Sequence, residues 1–240
     1  MNFSTLAGTG LGIAIALVTV SCGESTPPES AALAPGSPSP TPSESAEPAD
    51  SEPTVVDVKT LEVIAEESLS PTEIWQRLAQ PGDSLYVVML RHALAPGTGD
   101  PSNFDLADCS TQRNLSAEGR SQAQQIGQAF QDQEVSVRQV LSSQWCRCLE
   151  TAQLMDLGPV EPYPPLNSFF RDRSTATTQT TDIRREMGSQ VDQPGVVVMV
   201  THQVNITELT DIVPLSGEAV VLEAQPAGIK VLGTILPDPS

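Results

Sequence analysis

The stretch "LYVVMLRHALAPG", Leu85 to Gly97, decides how this chain is read. Val87, Val88, Met89 and Leu90 run without polar alternation, the pattern of a strand covered on both faces. The run delivers Arg91 and His92 side by side, just before a loop with Pro96 and Gly97. His92 is one of 2 histidines in the chain. Ligands of open α/β sheets bind outside the carboxyl ends of strands, so Arg-His at this point is a candidate site.

Two other stretches repeat the design. "GVVVMVTHQ" is a second buried strand ending in the other histidine, His202. "VRQVLSSQ" reads as a third strand, and "SSQWCRCLETA" places Arg147 just beyond its end. If the three strands are neighbours, Arg91, His92, Arg147 and His202 converge on one pocket. Paired guanidiniums present forked donors that match phosphate oxygens, and a histidine can attack phosphorus. Taken singly, these residues carry little, since Arg147 and Glu150 also fit a simple i,i+3 ion pair on a helix.

The remaining segments supply the frame. In "SPTEIWQRLAQPG", Ser70, Pro71 and Glu73 predict a capped helix start, and Pro81-Gly82 stops it. Between Ala93 and Asn114 lies a loop of about two dozen residues, a length that in compact domains usually marks function or disorder. Ser116 caps a helix with Ala123, Ile126, Gly127 and Phe130 on one face. "RCLETAQLM" and "DIRREM" continue the helical alternation, while "AVVLEA" and "IKVLGTIL" read as late strands at a sheet edge. Strands alternating with helices predict a three-layer α/β/α sandwich with a mostly parallel central sheet.

"LRHA", "SSQWCRCLETA" and "VTHQVNI" together resemble the three signatures of the histidine phosphatase (phosphoglycerate mutase-like) superfamily, and they span most of Leu85 to Ile206. The resemblance implies a phosphoric monoester hydrolase working through a phosphohistidine on His92. It makes Arg91, Arg147 and His202 the phosphate-binding partners. Ala93, Gln144 and Cys148 stand where the usual motifs carry Gly, Pro and Ala, and none of these departures removes a charge. The implied substrate is a small phosphorylated molecule, with no cofactor and no metal. Cys109, Cys146 and Cys148 also lack metal-ligand spacing with the histidines.

The general acid is not where the superfamily keeps it. Its mutase branch has a Glu beyond the Glu-Thr-Ala helix and its phytase branch an acid after the second His. Here those places read "PPLNSFFRDRS" and His202-Gln203. Asp172 is the first candidate for the role and Asp108 the second, with Asp100, Asp105 and Glu208 also in reach by sequence. Without an acid, the same Arg/His cage would serve an inactive phospho-ligand-binding lipoprotein of the envelope.

The first seventy residues are different in kind. Residues 1–22 combine an apolar run, Leu6 to Val20, with Cys22 in "TVSCGES", and resemble the signal peptide of a bacterial lipoprotein. Residues 23–69 are rich in Pro, Ser, Ala and Glu and predict a disordered tether, leaving 70–240 as the folded domain. The expected location is the cell envelope or periplasm, with the membrane as a partner through a lipid anchor on Cys22. The net charge of −18 includes no basic stripe, which argues against nucleic acid. In an exported domain Cys109 is expected to pair with Cys146 or Cys148 as the long loop folds back; three buried thiols are the competing arrangement.

Overall fold

A computed structural model describes residues 68–236. The expected leader, Cys22 and all of the tether except Ser68 and Leu69 lie outside those residues. The first helix, α1 (Pro71–Ala79), opens as its sequence requires: Ser70 N–H donates to the Glu73 carboxylate at 2.9 Å, closing a capping box that satisfies orphan helix donors.

Six strands follow: β1 (Leu85–Arg91), β2 (Val137–Ser142), β3 (Val160–Pro162), β4 (Gly195–Thr201), β5 (Ala219–Gln225) and β6 (Gly228–Ile235). They form one sheet in the order β3-β2-β4-β1-β5-β6. The first four run parallel; β5 is antiparallel to β1, and β6 to β5. The other helices are α2 (Ala117–Asp132), α3 (Cys146–Met155), α4 (Ala176–Ser189) and α5 (Gln203–Thr210).

The unbroken apolar run of β1 now has its cause. Tyr86, Val88 and Leu90 pack with Ile74 of α1, Phe130 of α2 and Met155 of α3. Val87 and Met89 point the other way, into a cluster with Ile183 and Met187 of α4 and Ile206 of α5. Helices on both faces bury both sides of the strand, and the result is the three-layer α/β/α sandwich expected. At about 25 cal/mol per Å² of apolar surface, each such fully buried side chain contributes roughly 1.5–3 kcal/mol. Gly127 lets α2 and α3 meet backbone to backbone: a Cβ there would lie 2.0 Å from the Met155 carbonyl oxygen.

Two elements escaped the sequence reading. β3 has three residues, one of them Pro162, and survives only because it is an edge. α5 is eight residues, polar at Gln203, Thr207, Glu208 and Thr210, and carries too little apolar periodicity to stand out.

Candidate active site

Strand register brings the three motifs to one rim. Arg91 pairs with Thr201 across β1 and β4, and Ser142 with Val200 across β2 and β4. Just past the strand ends, His92 N–H donates to Thr201 O at 3.0 Å and Ser143 N–H to Val200 O at 2.9 Å. His92, Ser143 and His202 therefore leave the sheet together. The rim opens into a cleft of about 550 Å³ walled by Arg91, His92, Asp100, Arg113, Trp145 and His202, with Phe104, Phe170 and Asp172 among the remaining residues.

The hydrogen bonds fix the state of each imidazole. His92 is 2 % exposed, and its Nδ1 lies 2.8 Å from the Ala93 carbonyl, which can only accept. Nδ1 must carry the proton, so the lone pair is on Nε2, where Arg147 Nε–H donates to it at 3.2 Å. His202 Nε2 is 2.9 Å from Ser143 Oγ, whose own proton goes to Asn167 Oδ1 at 3.2 Å. His202 thus donates through Nε2 and turns its Nδ1 lone pair toward Arg147 Nη2 at 3.4 Å. The two rings stand edge to face with centroids 5.4 Å apart.

Burial, reinforced by the charge of Arg147, lowers the pKa of His92 to about 3 and that of His202 well below its ordinary value. A histidine that is neutral at all physiological pH, with an unprotonated Nε2 beside Arg147, can act as a nucleophile once the Arg147 bond is released.

Arg147, in the first turn of α3, is not paired with Glu150. Glu150 takes Arg120 instead, at 2.6 Å. Arg147 holds Asp100 through both Nη atoms, at 2.7 and 3.2 Å, and the pair is almost fully enclosed. Arg147 itself is not on the cleft wall, because Asp100 stands in front of it. The expected four-residue convergence is therefore met by Arg91, His92 and His202 at the surface of the cleft, with Arg147 one layer behind.

Arg113 was missed. Its Nε donates to Gly99 O at 2.9 Å and its Nη1 to Ala95 O, so it braces the long loop from inside while lining the cleft. The sequence signal was available only in hindsight of topology: an Arg three residues before the Ser116 cap returns to the rim that the loop left. The loop is also tied covalently, by a Cys109–Cys146 disulfide. Of the two expected pairings this is the first, and Cys148 stays a buried free thiol, its pKa pushed by burial up to about 12.

The remaining candidate acids are dispersed. Asp172 reaches the cleft wall, but its side chain is exposed and accepts from Ser174 N–H at 3.0 Å. Asp108 accepts from Ser110 N–H at 2.9 Å and does not line the cleft, although the disulfide beside it is formed; its carboxylate serves the turn Cys109–Thr111. Asp105 is likewise exposed, accepting from Ala107 N–H at 2.9 Å, and Glu208 pairs with Arg173 at 3.6 Å. Among the described residues no cluster of His, Cys, Asp and Glu could hold a metal ion.

Fold and site together define a histidine-phosphatase-like protein. The model of the histidine phosphatase superfamily (branch 1) matches residues 87–193, a segment that holds the first two of the three motifs. Among solved structures it is similar to the protein histidine phosphatase SixA complexed with tungstate, at 15% identity over 63% of this chain and 97% of that one, TM-score 0.46. It is also similar to a putative alpha-ribazole-5'-P phosphatase from Escherichia coli, at 15% identity over 65% and 98%, TM-score 0.48. A putative phosphohistidine phosphatase SixA from Agrobacterium tumefaciens gives 18% identity over 62% and 97%, TM-score 0.46. No curated protein sequence matches the chain.

Proposed function

We propose that this protein hydrolyses small phosphomonoesters, or related phosphoryl groups, through a phosphohistidine on His92. The observation that carries the reading is the state of His92: buried, neutral, Nδ1 pinned to a carbonyl, Nε2 lone pair accepting from Arg147 Nε–H. Arg91, Arg113 and Arg147 supply the positive charge that a pentacoordinate phosphoryl transition state requires. His202 is the second phosphate-binding group. Burial and the charge of Arg147 keep its Nδ1 unprotonated; the phosphoryl dianion opposes both effects, and a protonated Nδ1 donates to a phosphoryl oxygen.

Nucleophilic attack by His92 Nε2 on phosphorus expels the ester oxygen, and water then cleaves the P–N bond and regenerates the imidazole. The test is phosphate release from aryl phosphates by the purified protein, beside its His92→Ala variant. Release that disappears in the variant supports the enzyme; no release from either protein favours a phospho-ligand receptor.

The location proposed for this activity is the cell envelope, with Cys22 lipidated. The Cys109–Cys146 disulfide supports an oxidising compartment, where such bonds persist. Mass spectrometry of the native protein tests it: a lipid on an amino-terminal Cys22 is expected, and an unmodified Cys22 refutes it.

A further inference from the structure

A guanidinium has five N–H groups, and those of Arg147 are all engaged. Nε meets His92, Nη1 meets Asp100 and the Arg113 carbonyl, and Nη2 meets Asp100 and His202 Nδ1. No donor is left for a substrate. Asp100 grips Arg147 in the same two-pronged geometry by which a guanidinium receives phosphate. The carboxylate also accepts from Trp145 Nε1 at 3.1 Å and from Arg113 N–H at 3.1 Å. It therefore sits as an anion would, on the cleft wall, in front of the arginine that touches the nucleophile.

We propose that Asp100 is the general acid–base of this site and takes up that role by exchange: the substrate phosphoryl group claims the Arg147 fork, and the displaced carboxyl turns to the leaving oxygen. The inference rests on the phosphatase reading. Asp100 and Asp172 are the two carboxylates that line the cleft among the described residues, and of these only Asp100 is buried beside the nucleophile's partner. The backbone permits the turn. Gly97 and Gly99, at φ +91° and +70°, precede Asp100 and can reset their dihedrals at little cost.

Exchange also changes the proton affinity in the required direction. In the empty site burial raises the pKa of Asp100, but hydrogen bonds from Arg147, Arg113 N–H and Trp145 outweigh it and leave the carboxyl below its ordinary value. Losing the Arg147 bonds and gaining a phosphoryl dianion as neighbour both favour protonation, with the proton drawn from solvent. His92 Nε2 then bonds to phosphorus while the ester P–O bond breaks, and the Asp100 proton passes to the departing oxygen. In the second step Asp100 carboxylate takes a proton from water, whose oxygen bonds to phosphorus as the P–N bond breaks and its electrons return to Nε2. Asp100 then gives up its proton to solvent and recloses on Arg147, displacing phosphate.

The variant Asp100→Asn, in the full chain, separates this from a structural role. Calorimetric titration with inorganic phosphate is expected to show binding about tenfold tighter or more, because the internal competitor has lost its charge. Because both steps use the carboxyl, the leaving-group comparison reads the first step alone: in rapid quench, phosphoryl transfer to His92 from an alkyl phosphate is expected to slow on the order of 10²–10⁴, and transfer from an aryl phosphate, whose leaving group needs little protonation, far less. Asp100→Glu keeps the carboxyl and is expected to hold the alkyl-to-aryl ratio near wild type, which covers the case in which the Asn variant does not fold. Unchanged or weaker phosphate binding in Asp100→Asn, equal slowing of phosphoryl transfer to His92 from both esters, or a Glu variant that loses the alkyl substrate selectively overturns the proposal. Phosphate binding needs no turnover: a wild-type protein that binds phosphate but hydrolyses neither ester refutes the phosphatase reading and the acid role with it, while the exchange is still judged by titration.

Discussion

Arg147 Nε points at His92 Nε2 from 3.2 Å, so the proposed phosphate-binding group and the proposed nucleophile share one hydrogen bond. Substrate binding has to break that bond before the lone pair is usable. Geometry at Arg147 therefore matters as much as charge. Arg147→Lys is expected to lower kcat/KM at least about a hundredfold, since a point charge cannot serve His92 and a phosphoryl group together, and Arg91→Lys is expected to be damaging because a point charge cannot reproduce the guanidinium fork. Steady-state kinetics on an aryl phosphate measures both.

The covalent step has its own signature. His92 is expected to carry phosphate during turnover, in a linkage labile to acid and stable to alkali. His92→Ala should lose the label entirely, and His202→Ala should slow its appearance severely by removing a donor to the in-line transition state. Rapid quench with labelled substrate reads both, and label retained by His92→Ala contradicts the assignment.

Arg113 lines the cleft and braces the loop at Ala95 and Gly99. Arg113→Ala is expected to weaken inorganic phosphate binding by roughly 1.5–3 kcal/mol, the range for a hydrogen bond to a charged group. Titration calorimetry on the folded variant gives the number directly.

Acid should destabilise this domain earlier than its carboxylates dictate. The folded-state pKa of His92 is about 3, below the 6.5 of an ordinary histidine, so as pH falls below 6.5 the unfolded chain gains a proton that the folded chain refuses. The contribution is whole above 6.5 and is lost as pH drops toward 3. For His92 it amounts to about 2 kcal/mol by pH 5, and His202, whose pKa is lowered by burial and by Arg147, adds to it in the same direction. Urea unfolding at pH 7 and pH 5 is expected to show the drop, and His92→Gln to reduce it.

The disulfide gives a chemical count. Of the three cysteines among the described residues, only Cys148 is expected to react with a thiol reagent after denaturation without reductant. Opening the 37-residue separation with Cys109→Ser should cost about 2–4 kcal/mol of stability and loosen Arg113 and Asp100, read by thermal unfolding and by KM.

What the sequence announced was whatever repeated locally. The two apolar runs ending in His92 and His202 declared buried strands, and the Ser70–Glu73 box declared a helix start. The rim of the site was legible for the same reason, because strand ends are positions in the chain. Asp100 and Arg113 were not, since their places depend on how a loop of some twenty residues folds back, which no periodicity encodes. The choice between Cys146 and Cys148 as partner of Cys109 was hidden likewise. One lies at the first residue of α3 and the other two residues on, facing the core, and only the docked loop distinguishes them.

β4 and β1 are the two middle strands of the sheet, and each ends in one of the histidines. Such strands are among the last parts of a protein to open, whereas surface loops open and diverge most readily. Reactivity and selectivity therefore have separate inheritances here. The proposed nucleophile is fastened to the portion of the chain that tolerates least change, while Asp100, Arg113 and Phe104 belong to a segment far more open to change, so the proposed acid–base and the substrate preference can be altered together by editing the loop while the proposed nucleophile keeps its place.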